Sequence, residues 1–405
     1  MKKKLFVTLM MAMTLGLLSG CGNESEESLS PIMTPNPQPI VSEAPEEGSA
    51  DEKAPEEEPE YLPNGMKKGG ETHTIGERVE KDGKIQSHLT GEWKDTAIAN
   101  RRPMAVMVPN NPPAMPQYGI SKASIIYEAP VEGRITRLMA IVEDYDDLDR
   151  IGPVRSSRDY YIYEAMAYDA IYCNWGLAVP YAGPLLNSTR IDNISQTVSG
   201  MEAGYTYSGA FDRVSRPGYA KEFTGYLFTD GYTKGVEKMG YEKEYTDRFV
   251  NGFTFADDGY MATYDDYPTA TKIYPGGTQS NSGGYGSNNA CFTYNEEDGL
   301  YYRSQYSQKQ IDELTGEQLA VTNVVFKICH GEVRDDHDYL AFGVHGTGDA
   351  YVFTNGKVIK GTWSRESDYA ANVFLDENGN EIALNQGKTW MCCIWKEYSE
   401  FMKWE

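Results

Sequence analysis

The 405-residue chain carries 60 acidic against 37 basic side chains, a formal charge of −23. A surface of that sign repels a phosphate polymer, and no basic stripe interleaved with aromatics occurs, which excludes nucleic acid as a partner. Five of the 6 cysteines, Cys173, Cys291, Cys329, Cys392 and Cys393, fall at unpaired spacings that do not read as a disulfide framework.

In chain order, the first element is a processing segment. Lys2, Lys3 and Lys4 precede the apolar run Leu5 to Leu18, which is too short and wrongly flanked for a lasting membrane span. It ends in Leu18-Ser19-Gly20-Cys21, which resembles a bacterial lipobox and implies that residues 1–20 are removed and that Cys21 receives acyl chains, palmitate among them. Buried acyl chains contribute about 0.8 kcal/mol per methylene, so the expected partner of Cys21 is the membrane, on its extracytoplasmic face. Residues 21–75, rich in Pro, Glu, Ser and Gly, bury too little apolar surface to offset chain entropy and are expected to form an acidic disordered tether.

Beyond the tether the length suits two domains, and the patterning changes near residue 240. Over 76–240 the expectation is an α/β domain, a mixed sheet with covering helices. "MAVMV" (104–108), "SIIYEAPV" and "ITRLMAIVE" read as strands, with Glu132-Gly133 as a turn, and "AIYCNWG" as another. A buried helix is expected to start at Ser156 or Ser157, one of which would cap it. Over 241–405 a mostly antiparallel β domain is expected: "CFTYNEEDGLYYRS", "AYVFTNGKVIKGTW" and "NVFLDENGNEIAL" each place a glycine turn between strand-like arms. "GGTQSNSGGYGSNNA" (276–290) reads as a flexible loop.

The blocks "RPMAVMVPNNPPAMPQYGISKASIIYEAPVEGRITRLMAIVEDY" and "IGPVRSSRDYYIYEAMAYDAIY" resemble the amino-terminal domain of the YerB-type lipoproteins, the DUF3048 family. The resemblance extends to the family's carboxy-terminal domain through "YYRSQYSQKQIDELTGEQLAVTNVVF", "GTGDAYVFTNGKVIKGTW" and "ENGNEIALNQGKTW", and so covers about residues 100 to 396. It implies an envelope lipoprotein with a two-domain ectodomain and brings no reaction with it. Two departures stand out. Arg216-Pro217 is followed by Gly218 rather than the family's Pro-His-Asn block, and the small turn after "AIY" is Asn174-Trp175-Gly176.

Two polar clusters carry possible chemistry. Arg155, Ser156, Ser157 and Arg158 precede a helix, where free N–H groups, the macrodipole and two guanidiniums can hold a phosphate or carboxylate. Alternatively the serines cap the helix and Arg158 pairs with Asp159 or Glu128. Glu128 and Glu132, with Asn110 nearby, can act as acid and base on a glycosidic bond, or be neutralised by Arg134 or Arg137. The candidate ligand-binding set is therefore Asn110, Glu128, Glu132, Arg137, Arg155, Ser156 and Arg158. No catalytic residue is assigned, because no complete set of nucleophile, base and orienting group is evident and a Gly-x-Ser-x-Gly elbow is absent. His330 and His337 lack zinc spacing, and "DENGNE" has Glu381 where a calcium loop requires glycine, so neither metal nor other cofactor is expected. Two readings remain: a non-enzymatic envelope lipoprotein binding an anionic, glycan or protein ligand, and a cell-wall glycan hydrolase or transferase using Glu128 or Glu132.

Overall fold

The computed structural model describes residues 60–63, 65–68, 72–196, 200–201, 206–281 and 283–405. The leading segment, Cys21 and the tether up to residue 59 lie outside the described residues. Paired backbone begins within the stretch expected as tether: Lys67–Lys68 run parallel to Tyr260–Met261, and Thr74 bridges Ala256.

The first segment supplies β1 (Met104–Pro109), β2 (Ile125–Val131), β3 (Ile135–Val142), β4 (Ile171–Trp175) and β5 (Asn193–Gln196), with helices α1 (Asp159–Met166), α2 (Val179–Leu186) and α3 (Thr229–Met239). The second supplies β6 (Lys272–Tyr274), β7 (Cys291–Asn295), β8 (Leu300–Gln305), β9 (Gln308–Lys309), β10 (Ala320–Val321) and β11 (Asn323–Cys329). It continues with β12 (Gly346–Thr354), β13 (Lys357–Arg365), β14 (Val373–Asp376), β15 (Thr389–Trp395) and β16 (Lys403–Trp404).

Ten of these strands form one mixed sheet in the order β14-β13-β12-β11-β15-β2-β3-β1-β4-β5. β1, β2 and β3 are apolar along nearly their whole length because both faces of this sheet are covered. Strands from before and after residue 240 therefore share a single sheet. The join is β15, which lies parallel to both β11 and β2, with Thr389 opposite Asn323 on one side and Ile125 on the other. The hairpins expected around Asn355-Gly356 and in "CFTYNEEDGLYYRS" are present as β12–β13 and β7–β8. A smaller sheet is ordered β9-β8-β7-β6-β16, with β10 also paired to β8.

The large sheet separates two cores. One face carries Met107, Tyr127, Met139, Val325 and Met391 against α1 and α2. The other carries Val108, Ile126, Leu138, Phe326 and Trp390 against Phe292 and Tyr301 of the smaller sheet. Glu58–Glu405 cluster as one unit. Among the described residues no helix is long and apolar enough to cross a membrane.

Two local expectations are corrected. First, α1 is entered through Arg158, and no side chain caps it. The Ser157 hydroxyl is held by the Tyr172 hydroxyl at 2.9 Å, while its amide bonds the Gly176 carbonyl, so neither is available for a cap. Second, the glycine-rich segment is packed rather than free. Gly284, at φ +88°, sits against Pro130, and the Tyr285 hydroxyl donates to the Glu128 carbonyl at 2.7 Å. Its glycines admit a backbone approach that a Cβ would block. The turn expected in "DENGNE" is present: Leu375 bridges Glu381, and the Asp376 carboxylate accepts the amides of Asn378 and Asn380.

Candidate functional site

The Glu128 side chain leaves β2 on the side of the smaller sheet, because neighbouring side chains alternate faces along a strand. It is fully buried, and its carboxylate takes both oxygens to Arg303 Nη2 at 3.0 and 2.9 Å. Trp390 Nε1 donates to it at 2.9 Å, Thr136 at 2.6 Å and Asn110 Nδ2 at 3.1 Å. Asn110 is itself held by Gln305 at 2.7 Å, so the network runs from β1 through β2 and β3 into β8. Arg303 lies under the rings of Phe292 and Trp390, with its Nε and Nη1 buried and unpartnered. The pair is buried and its members are in direct contact.

Arg137 is next in sequence to Leu138, the register partner of Glu128, and so emerges on the opposite face, among Tyr160, Tyr161 and Tyr172. It is only 7 % exposed, and its Nη1 donates to the Ser156 carbonyl at 2.6 Å. Among the described residues no carboxylate stands within ion-pairing distance of it. Burial, then the nearby Arg158 and Arg155 charges, push the Arg137 guanidinium down to about 10, although the two tyrosines partly oppose this.

The two flanking arginines are matched. Arg158 forms a two-pronged pair with Glu132, Nε to Oε1 at 2.8 Å and Nη2 to Oε2, and lies 5.1 Å from the centre of the Tyr339 ring. Burial works against its charge, but the Glu132 fork outweighs burial and holds its pKa above the usual arginine value. Arg155 pairs with Glu222 at 3.1 Å in a half-exposed position. The segment carrying them is held by backbone bonds beside the ends of β1 and β4: Arg155 N–H donates to the Met107 carbonyl and Trp175 N–H to the Arg155 carbonyl. Gly176, at φ +93°, closes the Asn174-Trp175-Gly176 turn onto Ser156; a Cβ there would lie 2.5 Å from Ser156 Oγ.

Of the residues expected to share one site, Arg137, Arg155, Ser156, Arg158 and Glu132 come together. Asn110 and Glu128 do not, because they lie on the other side of the sheet. The partners also differ from expectation: Arg158 holds Glu132 rather than Asp159 or Glu128, Asp159 pairs with Arg334 at 2.6 Å, and neither Arg134 nor Arg137 neutralises the two glutamates. The two carboxylates consequently do not face one another across an open groove. His330 pairs with Glu397, while His337 stacks on Tyr339, so these histidines do not converge.

Arg303 was not singled out from the sequence, yet a signal exists. "LYYRSQ" alternates with Tyr301, Arg303 and Gln305 all inward, and an arginine on the buried side of a strand calls for a carboxylate or other anion to offset its charge. The same holds for Lys327, buried in β11 and paired with Glu164 of α1 at 2.6 Å.

Comparison with known proteins places these elements. Residues 89–247 match the N-terminal domain of a protein family of unknown function, DUF3048, and residues 282–391 match its C-terminal domain. The chain is 28 % identical over 311 residues to YerB of Bacillus subtilis (strain 168), named as a candidate lipoprotein, covering 76 % of this chain and 86 % of that one. The crystal structure of the Bacillus subtilis YerB protein superposes with a TM-score of 0.63 at 25 % identity, over 77 % of this chain and 98 % of that one. The chain belongs to the DUF3048 family.

Proposed function

We propose that the protein is a lipoprotein anchored through Cys21 to the extracytoplasmic face of the cell membrane, and that it binds the phosphate or carboxylate group of an envelope ligand through Arg137, Arg158, Arg155 and Ser156. The observation that carries the ligand reading is Arg137: a guanidinium buried beside two others, with a backbone carbonyl as its hydrogen-bond acceptor and no carboxylate. A buried charge of this kind is costly unless paired, and an anion bridging Arg137 and Arg158 supplies the missing charge. The lipid anchor is supported by the Leu18-Ser19-Gly20-Cys21 sequence and by the name of the Bacillus relative.

Glycan hydrolysis is the weaker reading. A buried Glu128 fastened by Arg303 and Trp390 cannot reach a sugar, and Glu132 alone lacks a second carboxylate.

Calorimetric titration with inorganic phosphate tests the anion site. Binding is expected in the parent and lost in Arg137→Met. Glu132→Gln should bind more tightly, because the competing carboxylate on Arg158 is gone. Phosphate binding that is indifferent to both changes would sink the proposal, as would no binding of phosphate or acetate by the parent. The anchor is tested separately: labelled palmitate should enter the parent and not Cys21→Ala.

A further inference from the structure

A cleft of about 480 Å³ opens on the face of the large sheet opposite Arg137. Its apolar lining comes from the half-buried Leu300, Tyr302 and Ala320, together with Ile126, Leu319 and Val321, which are nearly inaccessible to solvent. The volume lies within the range of small-molecule sites, and an apolar lining with a few polar groups is their usual composition. The principal polar group is Lys388, just ahead of β15. Its ammonium donates to the Ser121 carbonyl, and no carboxylate among the described residues forms an ion pair with it.

The acids around Lys388 are otherwise engaged or exposed. Asp312 already accepts the amides of Gly119 and Ser121 at 2.8 Å and of Leu314 at 2.9 Å, together with the Ser121 hydroxyl. Glu317, the one carboxylate in the lining, is exposed. Burial lowers the pKa of Lys388; the charges of Lys94 and Lys122 add to that, against Glu92 and Asp312. One half-buried, unmatched monocation beside a larger apolar surface selects a ligand with the converse layout. A single negative charge answers the ammonium without surplus, and a hydrocarbon body covers the lining.

We propose that this cleft binds a small amphipathic carboxylate, its head on Lys388 and its apolar body over Leu300, Tyr302 and Ala320. The site is separate from the arginine cluster, so phosphate and octanoate should bind without competing and Arg137→Met should leave octanoate affinity unchanged.

The test uses the unit from Glu58 to Glu405, which carries both hydrophobic cores, titrated calorimetrically with octanoate below its micellar concentration. Octanoate should bind at least about ten-fold more tightly than acetate, which lacks the body, or octylammonium, which inverts the charge. Lys388→Met should lose about ten-fold or more in octanoate affinity while retaining that for 1-octanol. Ala320→Trp, which fills the cleft from a half-buried lining position, should abolish both and decides the matter if Lys388→Met does not fold. Equal binding of octanoate and octylammonium would overturn the proposal. So would octanoate binding unaffected by both substitutions, or no octanoate binding by the parent.

Discussion

Arg303 and Arg137 are both arginines buried against the same large sheet, one on each face, and the protein treats them differently. Arg303 is matched: Glu128 takes it with two contacts, and Trp390, Thr136 and Asn110 saturate the carboxylate. Arg137 has a backbone carbonyl and two like charges for neighbours. The first arrangement is matched in charge without any other molecule, although Nε and Nη1 of Arg303 lack an acceptor. The second lacks a counter-charge, which is what the proposed anion would supply, and burial does not distinguish the two because both side chains are buried.

The largest expected effect comes from breaking the matched pair. Arg303→Met strands Glu128 as an unpaired buried charge and should cost about 3–5 kcal/mol in denaturant unfolding. Adding Glu128→Gln removes that charge and should recover part of the loss; a double variant less stable than the single would mean that the pair is not what Glu128 is held by. Next, Trp390→Phe removes one donor to the carboxylate and should cost about 1.5–3 kcal/mol.

His88 shows a third response to burial, which is to give up the charge. Burial, then the adjacent Arg78, lower its pKa to about 4, with Asn251 opposing. The folded chain thus holds the ring neutral while the unfolded chain binds a proton near pH 6.5, so stability rests on the neutral form. It is fully present above about pH 6.5 and is lost as pH falls toward 4, by about 1–2 kcal/mol after allowance for partial exposure. His88→Gln should flatten that part of the stability profile, read by thermal unfolding between pH 4 and pH 7.

The smallest effect is expected at the unmatched arginine. Arg137→Met loses a hydrogen bond but also an uncompensated charge, and the two should cancel to within about 1 kcal/mol in the absence of ligand. A loss as large as that of Arg303→Met would place Arg137 in the same structural class and remove the contrast.

Much of the local structure is legible in the sequence. "MAVMV", "IIYEAPV" and "ITRLMAIV" are apolar runs of strand length between turn residues, and Asn355-Gly356 marks its hairpin, since these signals depend only on near neighbours. The position of β15 is not legible, because nothing in "TWMCCIW" names Ile125 or Asn323 as its neighbours. The site was half legible for the same reason. The arginines around the start of α1 stand out as a cluster, whereas the assignment of Glu132 to Arg158 and of Glu128 to Arg303 depends on which face of the sheet each strand presents. The serines were expected to cap α1 because their spacing allows it; Tyr172 and Gly176, from β4 and the turn after it, compete successfully for Ser157.

The insertion of β15 between β2 and β11 sets an order on biosynthesis. Of the ten strands in the sheet it is the last to be made, yet it fills an interior position, so until it arrives the apolar edges of β2 and β11 stand open. Long-range pairing of this sort folds slowly and leaves unpaired edges prone to association. A chain delivered across a membrane before folding would therefore present those edges outside the cell, and any chaperone that guards it there is expected to act on a molecule whose first two hundred residues have already emerged but cannot yet close their own sheet.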